Sequence, residues 1–465
     1  MHEISKRVNL SKLKKVGIIS LFFIAIAFVL LTNVSSTTLD NIPKRQETQA
    51  IDPHAGHNHA PGEHVDHVTE GVEIPSNSAE NHSEETDGHG VFDPTATAIH
   101  HISDANVYSI LEVISIPLPM ILYNKERGFD FFMSSKFHGD VHHHEDGHHA
   151  YKGYVLYHGN VHRIADPSFP TEGEVIIDNF VKKKEIKEGK DVEVIYAVYQ
   201  GKELKAEPRS TWDGGALGGG VTSFYDFSIT KNVVAMFLVS LLLLWLFRSV
   251  ATSYAKNEGR APTGLTNMME MLIVFIRDEV AIPFIGVAKY KQYFPLLLTL
   301  FFFILGLNLF GQIPFFGNIN ATGNISLTMV LAVLVFILVS FNGNKHYWQH
   351  IFWMPGLPTA MKPLLAVVEI MSMFIKPLTL MLRLAGNITA GHIAILSFIG
   401  LIFIFGESGK SLMGGTIGSM LSVPLTLFMM ALELIVAFIQ AFVFTILTAS
   451  YIGAAIEVHH ADEHH

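Results

Sequence analysis

The chain has 465 residues, 49% of them hydrophobic and 16% charged, with a formal net charge of -10. A mean hydropathy of +0.34 with so few charges excludes an ordinary soluble globular protein, in which about 25% of residues are charged. With no cysteine there are no disulfides, thiolate metal sites or cysteine nucleophiles, and the acidic balance argues against nucleic-acid binding.

Read from the N-terminus, Lys6, Arg7, Lys12, Lys14 and Lys15 precede an apolar run from Val16 to Leu31. That is the pattern of an export signal or an N-terminal anchor, assigned to residues 1–35, and it places the segment after residue 35 outside the cytoplasm. Residues 36–98 are rich in His, Asp, Glu, Pro and Gly, a composition expected of a disordered linker. Residues 99–228 change character. β-Prone runs at Tyr151–Tyr157, Glu174–Ile177 and Val192–Tyr199 predict a small β-rich or mixed extracytoplasmic domain. The Gly-rich stretch from Thr211 to Gly220 reads as a joint into a membrane part.

From residue 229 to 458 the chain reads as an all-α polytopic membrane domain. Val233–Phe247 is the first span. An amphipathic segment over 265–291, carrying Glu270, Arg277, Asp278 and Glu279, is expected to lie on the membrane surface. Phe294–Phe316 and Ile325–Phe341 form a hairpin around an uncharged loop. Two unusually long, tilted helices come next, over about 361–405 and 419–456. A His-rich tail, 459–465, ends the chain. Arg248, Lys256, Arg260, Lys289, Lys291, Lys345 and Lys362 fall in loops on one side and only Lys410 on the other. Five spans therefore satisfy the positive-inside rule with the C-terminus cytoplasmic.

The chemistry is concentrated in the two long helices. Arg383 sits within membrane-length apolar sequence, where a guanidinium costs several kcal/mol and cannot escape by deprotonating. At 100° per residue, Glu369, Ser372, Lys376, Thr379, Arg383 and Asn387 share an arc of about 80°. His392 lies about 140° round from Asn387. The last helix carries Thr426, Glu433 and Gln440 at intervals of seven. Polar groups there need a protein or water-lined interior. A carboxylate and an imidazole in a wet cavity exchange protons near neutral pH. A fixed cation between two such routes would block direct leakage and favour the ionised form of a partner's carboxylate. The simpler alternative is interhelical packing, with Arg383 paired to Glu369 or Glu433 and with Ser372 and Thr379 bonded to their own backbone.

The string Lys376-Pro377…Arg383-Leu-Ala-Gly-Asn387…His392 resembles the arginine helix of subunit a of the F-type ATP synthase. Leu432-Glu433 through Gln440 resembles that family's last helix, and Asn308-Leu-Phe-Gly-Gln-Ile-Pro314 resembles its hairpin motif. The resemblance covers about half the chain, residues 230–456. It implies a proton-translocating stator subunit, with the c-ring and the peripheral-stalk b subunit as partners beside the bilayer and protons. It also implies no catalytic site and no cofactor, and the chain shows no Gly-rich phosphate loop. Residue by residue, it implies that Arg383 faces the ring carboxylate, with Asn387 and Gln440 as polar neighbours. Glu369 falls in the cytoplasmic-side half-channel, and His392 with Glu433 in the outer one.

The long N-terminal half departs from that family. Seventeen of its histidines fall between His54 and His162, in a chain holding 25 histidines in all. Those from His54 to His89 read as a solvated low-complexity tail. His142, His143, His144, His148 and His149 are a candidate divalent-metal group. A competing reading, a secondary divalent-metal transporter using the His-rich extension, predicts paired ligands inside the spans. The spans offer only His392, with no HxxxH or HxxxD pair.

Overall fold

A computed structural model describes residues 104–456 apart from 111–113, 139–145, 188–189, 212–219, 258–259, 314–318, 355–357, 360 and 407–410. The export signal, the linker, His142 to His144 and the C-terminal tail therefore lie outside the described residues.

The N-terminal part is strand-rich. Its elements are β1 (Val107–Ile110), β2 (Ile114–Pro117), β3 (Pro119–Asn124), β4 (Gly128–Met133), β5 (His149–Tyr151), β6 (Tyr154–Tyr157), β7 (Asn160–Ile164), β8 (Glu174–Ile176), β9 (Asn179–Lys187), β10 (Lys190–Tyr199), β11 (Lys202–Pro208) and β12 (Phe224–Asp226). β1 and β2 form a hairpin. The other strands make a seven-stranded sheet in the order β8-β5-β6-β7-β11-β10-β9 and a three-stranded sheet β12-β3-β4, with every pair antiparallel. Met120, Leu122 and Phe224 from the small sheet pack with Tyr154, Leu156 and Val161 from the large one.

Two sequence expectations change here. Tyr151–Tyr157 is not one run but two strands, because Lys152-Gly153 turns the chain back with φ of 54° and 80°. His158-Gly159 and Gln200-Gly201 make the same two-residue turn, and positive φ at both positions is what a type I′ hairpin requires. The Gly-rich stretch is not the joint into the membrane. Beyond it the chain returns to pair with β3 as β12 and only then, through 227–230, reaches the first long helix.

The helical part comprises α1 (Lys231–Lys256), α2 (Leu265–Phe275), a π-helical turn (Ile276–Ala281), α3 (Ile282–Ile285), α4 (Tyr290–Gly311), α5 (Ile325–Asn342), α6 (Lys345–Phe352), α7 (Lys362–Phe405) and α8 (Leu412–Ile456). Among the described residues, five of these are long and apolar enough to cross a membrane: α1, α4, α5, α7 and α8. α7 and α8 each continue through an internal proline, Pro377 and Pro424, and so run farther than 30 Å of hydrocarbon requires. α8 packs along α7 and α4, and α7 also meets α5. The amphipathic segment becomes α2, the π turn and α3. They are fastened to α8 by Phe275 against Phe438 and Phe442, and by Gly453, where any Cβ would strike the Phe284 carbonyl.

The two parts share a core. Tyr108 and Leu118 of the strand region are buried with Val233, Met236 and the aromatic residues of α4.

Candidate functional site

α7 and α8 leave an apolar face uncovered. On α7, Leu364, Val367, Met371, Phe374, Leu378 and Leu382 are exposed, recurring every three to four residues as one helix face. Such a surface is tolerated only against lipid or a partner protein. Arg383, Asn387 and Thr379 are exposed among these residues, whereas Glu369, Ser372 and Lys376 are half-buried. The single polar arc thus divides into an exposed part carrying the cation and a sheltered part nearer the N-terminal end of α7.

Pairing does not explain Arg383. Glu369 lies fourteen residues away on the same helix, about 21 Å along the axis. Glu433 is engaged elsewhere: its Oε1 lies 3.1 Å from His392 Nδ1, with both side chains largely enclosed between α7 and α8. The structure therefore brings together the acid and the imidazole that came from different stripes. Gly391 makes the room, since a Cβ there would sit 2.4 Å from Glu433 Oε1.

Gln440 is buried, and its Nε2 donates to the backbone carbonyl of Arg383 at 3.4 Å. It steadies the helix that presents the guanidinium and does not bind the guanidinium itself. Asn308 of α4, also buried, donates through Nδ2 to the Ala437 carbonyl at 3.1 Å, which fixes α8 between Glu433 and Gln440. Sequence reasoning saw Asn308 only as part of a motif. A polar residue in an apolar helix, needing a partner, was the signal that could have marked it as an anchor.

On the sheltered side, Lys376 Nζ lies 5.6 Å from the centroid of the Tyr451 ring. Both residues line a cavity of about 30 Å³ with Tyr347, Met373 and Pro377, large enough for a water molecule. Pro377 cannot donate to the Met373 carbonyl one turn back, so an acceptor faces this space. Burial pushes the Tyr347 phenol up, and the nearby Glu369 carboxylate adds to the effect. Asn308 Oδ1, Thr426 Oγ1 and Ser340 Oγ are buried without a hydrogen-bond partner among the described residues. Such groups suit a hydrated interior.

The candidate metal group fares differently. His148 and His149 are described. The His149 ring stands 4.4 Å from that of His138, whose Nε2 is 3.4 Å from Glu174 Oε2. Among the described residues, no group of three or more His, Cys, Asp or Glu is placed to hold a metal ion.

The arrangement is thus a membrane-embedded cation on an open helix face, backed by an acid–imidazole pair. Residues 233–453 match the family described as ATP synthase A chain. The chain is 42% identical over 246 residues to the ATP synthase subunit a of Pelodictyon phaeoclathratiforme, covering 52% of this chain and 68% of that one. The chain belongs to the ATP synthase subunit a family. Similarity extends to the subunit a of Myxococcus xanthus, 36% identical over 268 residues and covering 55% of this chain and 82% of the relative. It extends also to that of Chloroherpeton thalassium, 39% identical over 248 residues and covering 52% and 71%. This subunit a is a multi-pass membrane protein, the proton-translocating and non-catalytic component of the membrane sector. Its partners are the c-ring and the rest of the complex. Residues 97–189 match a separate domain of unknown function. Nothing among these findings favours the metal-transporter alternative.

Proposed function

We propose that protons cross this subunit a by two offset half-channels that Arg383 keeps apart. The observation that carries the reading is the opposite disposition of two polar groups. Arg383 and Asn387 occupy the uncovered face of α7, while His392 and Glu433 are joined in the α7–α8 interface, about 13 Å farther along the axis. A proton on the outer route passes through the His392–Glu433 pair, where an imidazole and a carboxylate can hand it on. From there it loads the ring carboxylate. On the inner route it leaves past Glu369 and the small cavity around Lys376. Arg383 repels a proton moving directly between the routes and favours the ionised form of the ring carboxylate as it passes. Asn387 extends the polar surface around the guanidinium, and Gln440 holds the Arg383 backbone.

In this reading the strand-rich domain lies outside the cytoplasm and the C-terminus inside, supported by the positive loop charges. The peripheral-stalk b subunit is the expected stator partner. His142 to His149 remain a proposed divalent-metal group, supported by their spacing in the sequence.

The decisive experiment is ATP-driven acidification of inverted membrane vesicles with wild-type chain and Arg383→Ala. Loss of pumping, with ATP hydrolysis by the detached catalytic sector intact, is the expected result. Unchanged pumping would overturn the assignment of Arg383.

A further inference from the structure

The three-stranded sheet is apolar on both faces. Its inward face buries Met120, Leu122 and Phe224 together with two carboxylates that face cations, Asp130 beside Lys152 at 2.8 Å and Asp226 beside Arg209 at 3.5 Å. Its outward face is apolar. Phe129, Phe131 and Met133 of β4 are 57%, 66% and 42% exposed, beside Ile121, Tyr123 and Phe227. Tyr123 and Phe227 ring centroids lie 4.9 and 6.5 Å from Phe129, and that of Phe131 lies 5.9 Å away, so the aromatic surface is continuous. No charged residue interrupts this face. In water a strand of this kind buries its apolar side, so the exposed one calls for an apolar neighbour.

The height of the sheet relative to the membrane identifies that neighbour. The Phe227 amide donates to the Ile121 carbonyl at 2.8 Å, the Ile229 amide to Pro119 at 3.2 Å and the Lys231 amide to Ala105 at 2.9 Å. The sheet is therefore continuous with the first turn of α1. Pro119 pairs with Met133 and Ile121 with Phe131, so the Met133 end of β4 is the one beside α1. From Lys231 to Arg248, the first charge at the other end of the span, is about 26 Å of helix. The extended step from Phe227 to Lys231 adds at most about 13 Å. Hydrocarbon accounts for about 30 Å and both headgroup layers for some 10–15 Å more. Phe131, Met133 and Phe227 then fall at the boundary between headgroups and acyl chains, where aromatic side chains collect.

We propose that this sheet face rests on the phospholipids of the leaflet at the start of α1, seating the strand-rich domain on the bilayer. The test places the photoreactive residue p-benzoylphenylalanine at Phe131, and separately at Met133, in the assembled complex in its native membrane. The same probe at Lys184, exposed on β9, is the comparison. Both sheet positions should yield phospholipid adducts several-fold above the Lys184 level. Adducts mainly to polypeptide, whether another subunit or another segment of this chain, would overturn the proposal. So would lipid labelling no greater than at Lys184.

Discussion

His392 Nδ1 and Glu433 Oε1 stand 3.1 Å apart across the α7–α8 interface, although they are 41 residues apart in sequence. If the pair relays protons, either group alone is insufficient. His392→Ala and Glu433→Gln should each lower ATP-driven acidification by at least about an order of magnitude. The exchanged double variant, His392→Glu with Glu433→His, keeps one acid and one imidazole in the same interface and should pump better than either single variant. Acidification rates of inverted vesicles, normalised to assembled complex, decide the matter. An exchanged variant no better than the singles would count against a relay.

Gly391 controls the same contact sterically. With a Cβ 2.4 Å from Glu433 Oε1, Gly391→Ala must displace the carboxylate or separate the helices, at about 1–3 kcal/mol for overpacking of this kind. Because α7 and α8 also hold each other through Ser422, whose hydroxyl donates to the Phe398 carbonyl, the variant should assemble normally but pump poorly. Assembly is measured by co-purification with the c-ring, and pumping by acidification.

The polar stripes were legible in the sequence because Arg383, Glu433 and Gln440 stand out against apolar neighbours and polar groups there have few partners available. Five spans followed from length alone. Azimuth set His392 apart from Asn387, but it could not reveal that His392 and Glu433 meet, since that depends on how α7 and α8 pack. Asn308 was hidden for the same reason: its partner is a backbone carbonyl on another helix. In the strand-rich domain, the tight hairpins escaped notice because Lys, His and Gln stand where Asn or Asp would ordinarily announce a turn before glycine. β12 escaped because three residues are too few to show a period, and its inward side carries Asp226 beside Phe224.

Asp104 ties the two halves together. Its Oδ1 accepts from the Ala105 amide at 3.0 Å and from the Asn232 amide at 3.3 Å, so it caps α1 from 128 residues away, while Thr230 provides no side-chain cap. Burial pushes its carboxyl up, against the pull of Lys231, the Thr230 hydroxyl and Arg209. Asp104→Ala removes the acceptor and should cost about 1–3 kcal/mol. Asp104→Asn keeps an acceptor oxygen and should cost less. Hydrogen exchange at the first α1 amides, followed by mass spectrometry, should accelerate in the order wild type, Asn, Ala.

His162 makes the strand-rich domain sensitive to acid. Burial lowers its pKa to about 4, opposed by the bond to the Asn160 carbonyl and reinforced by the charge on Arg209. In the unfolded chain the imidazole titrates near 6.5, so between these values the unfolded state binds the extra proton and the folded state does not. Stability is therefore fully present above about pH 6.5 and lost as pH falls toward 4. The loss is about 2 kcal/mol at pH 5 and about 3 kcal/mol at the limit. His162→Gln can keep a donor to Asn160 without a titratable group and should flatten the curve. Hydrogen exchange of β6, β7 and β11 in the detergent-solubilised chain, corrected for intrinsic rates at pH 7 and pH 5, measures the difference directly. Equal protection at both pH values in the wild type would show that His162 is protonated without opening the domain.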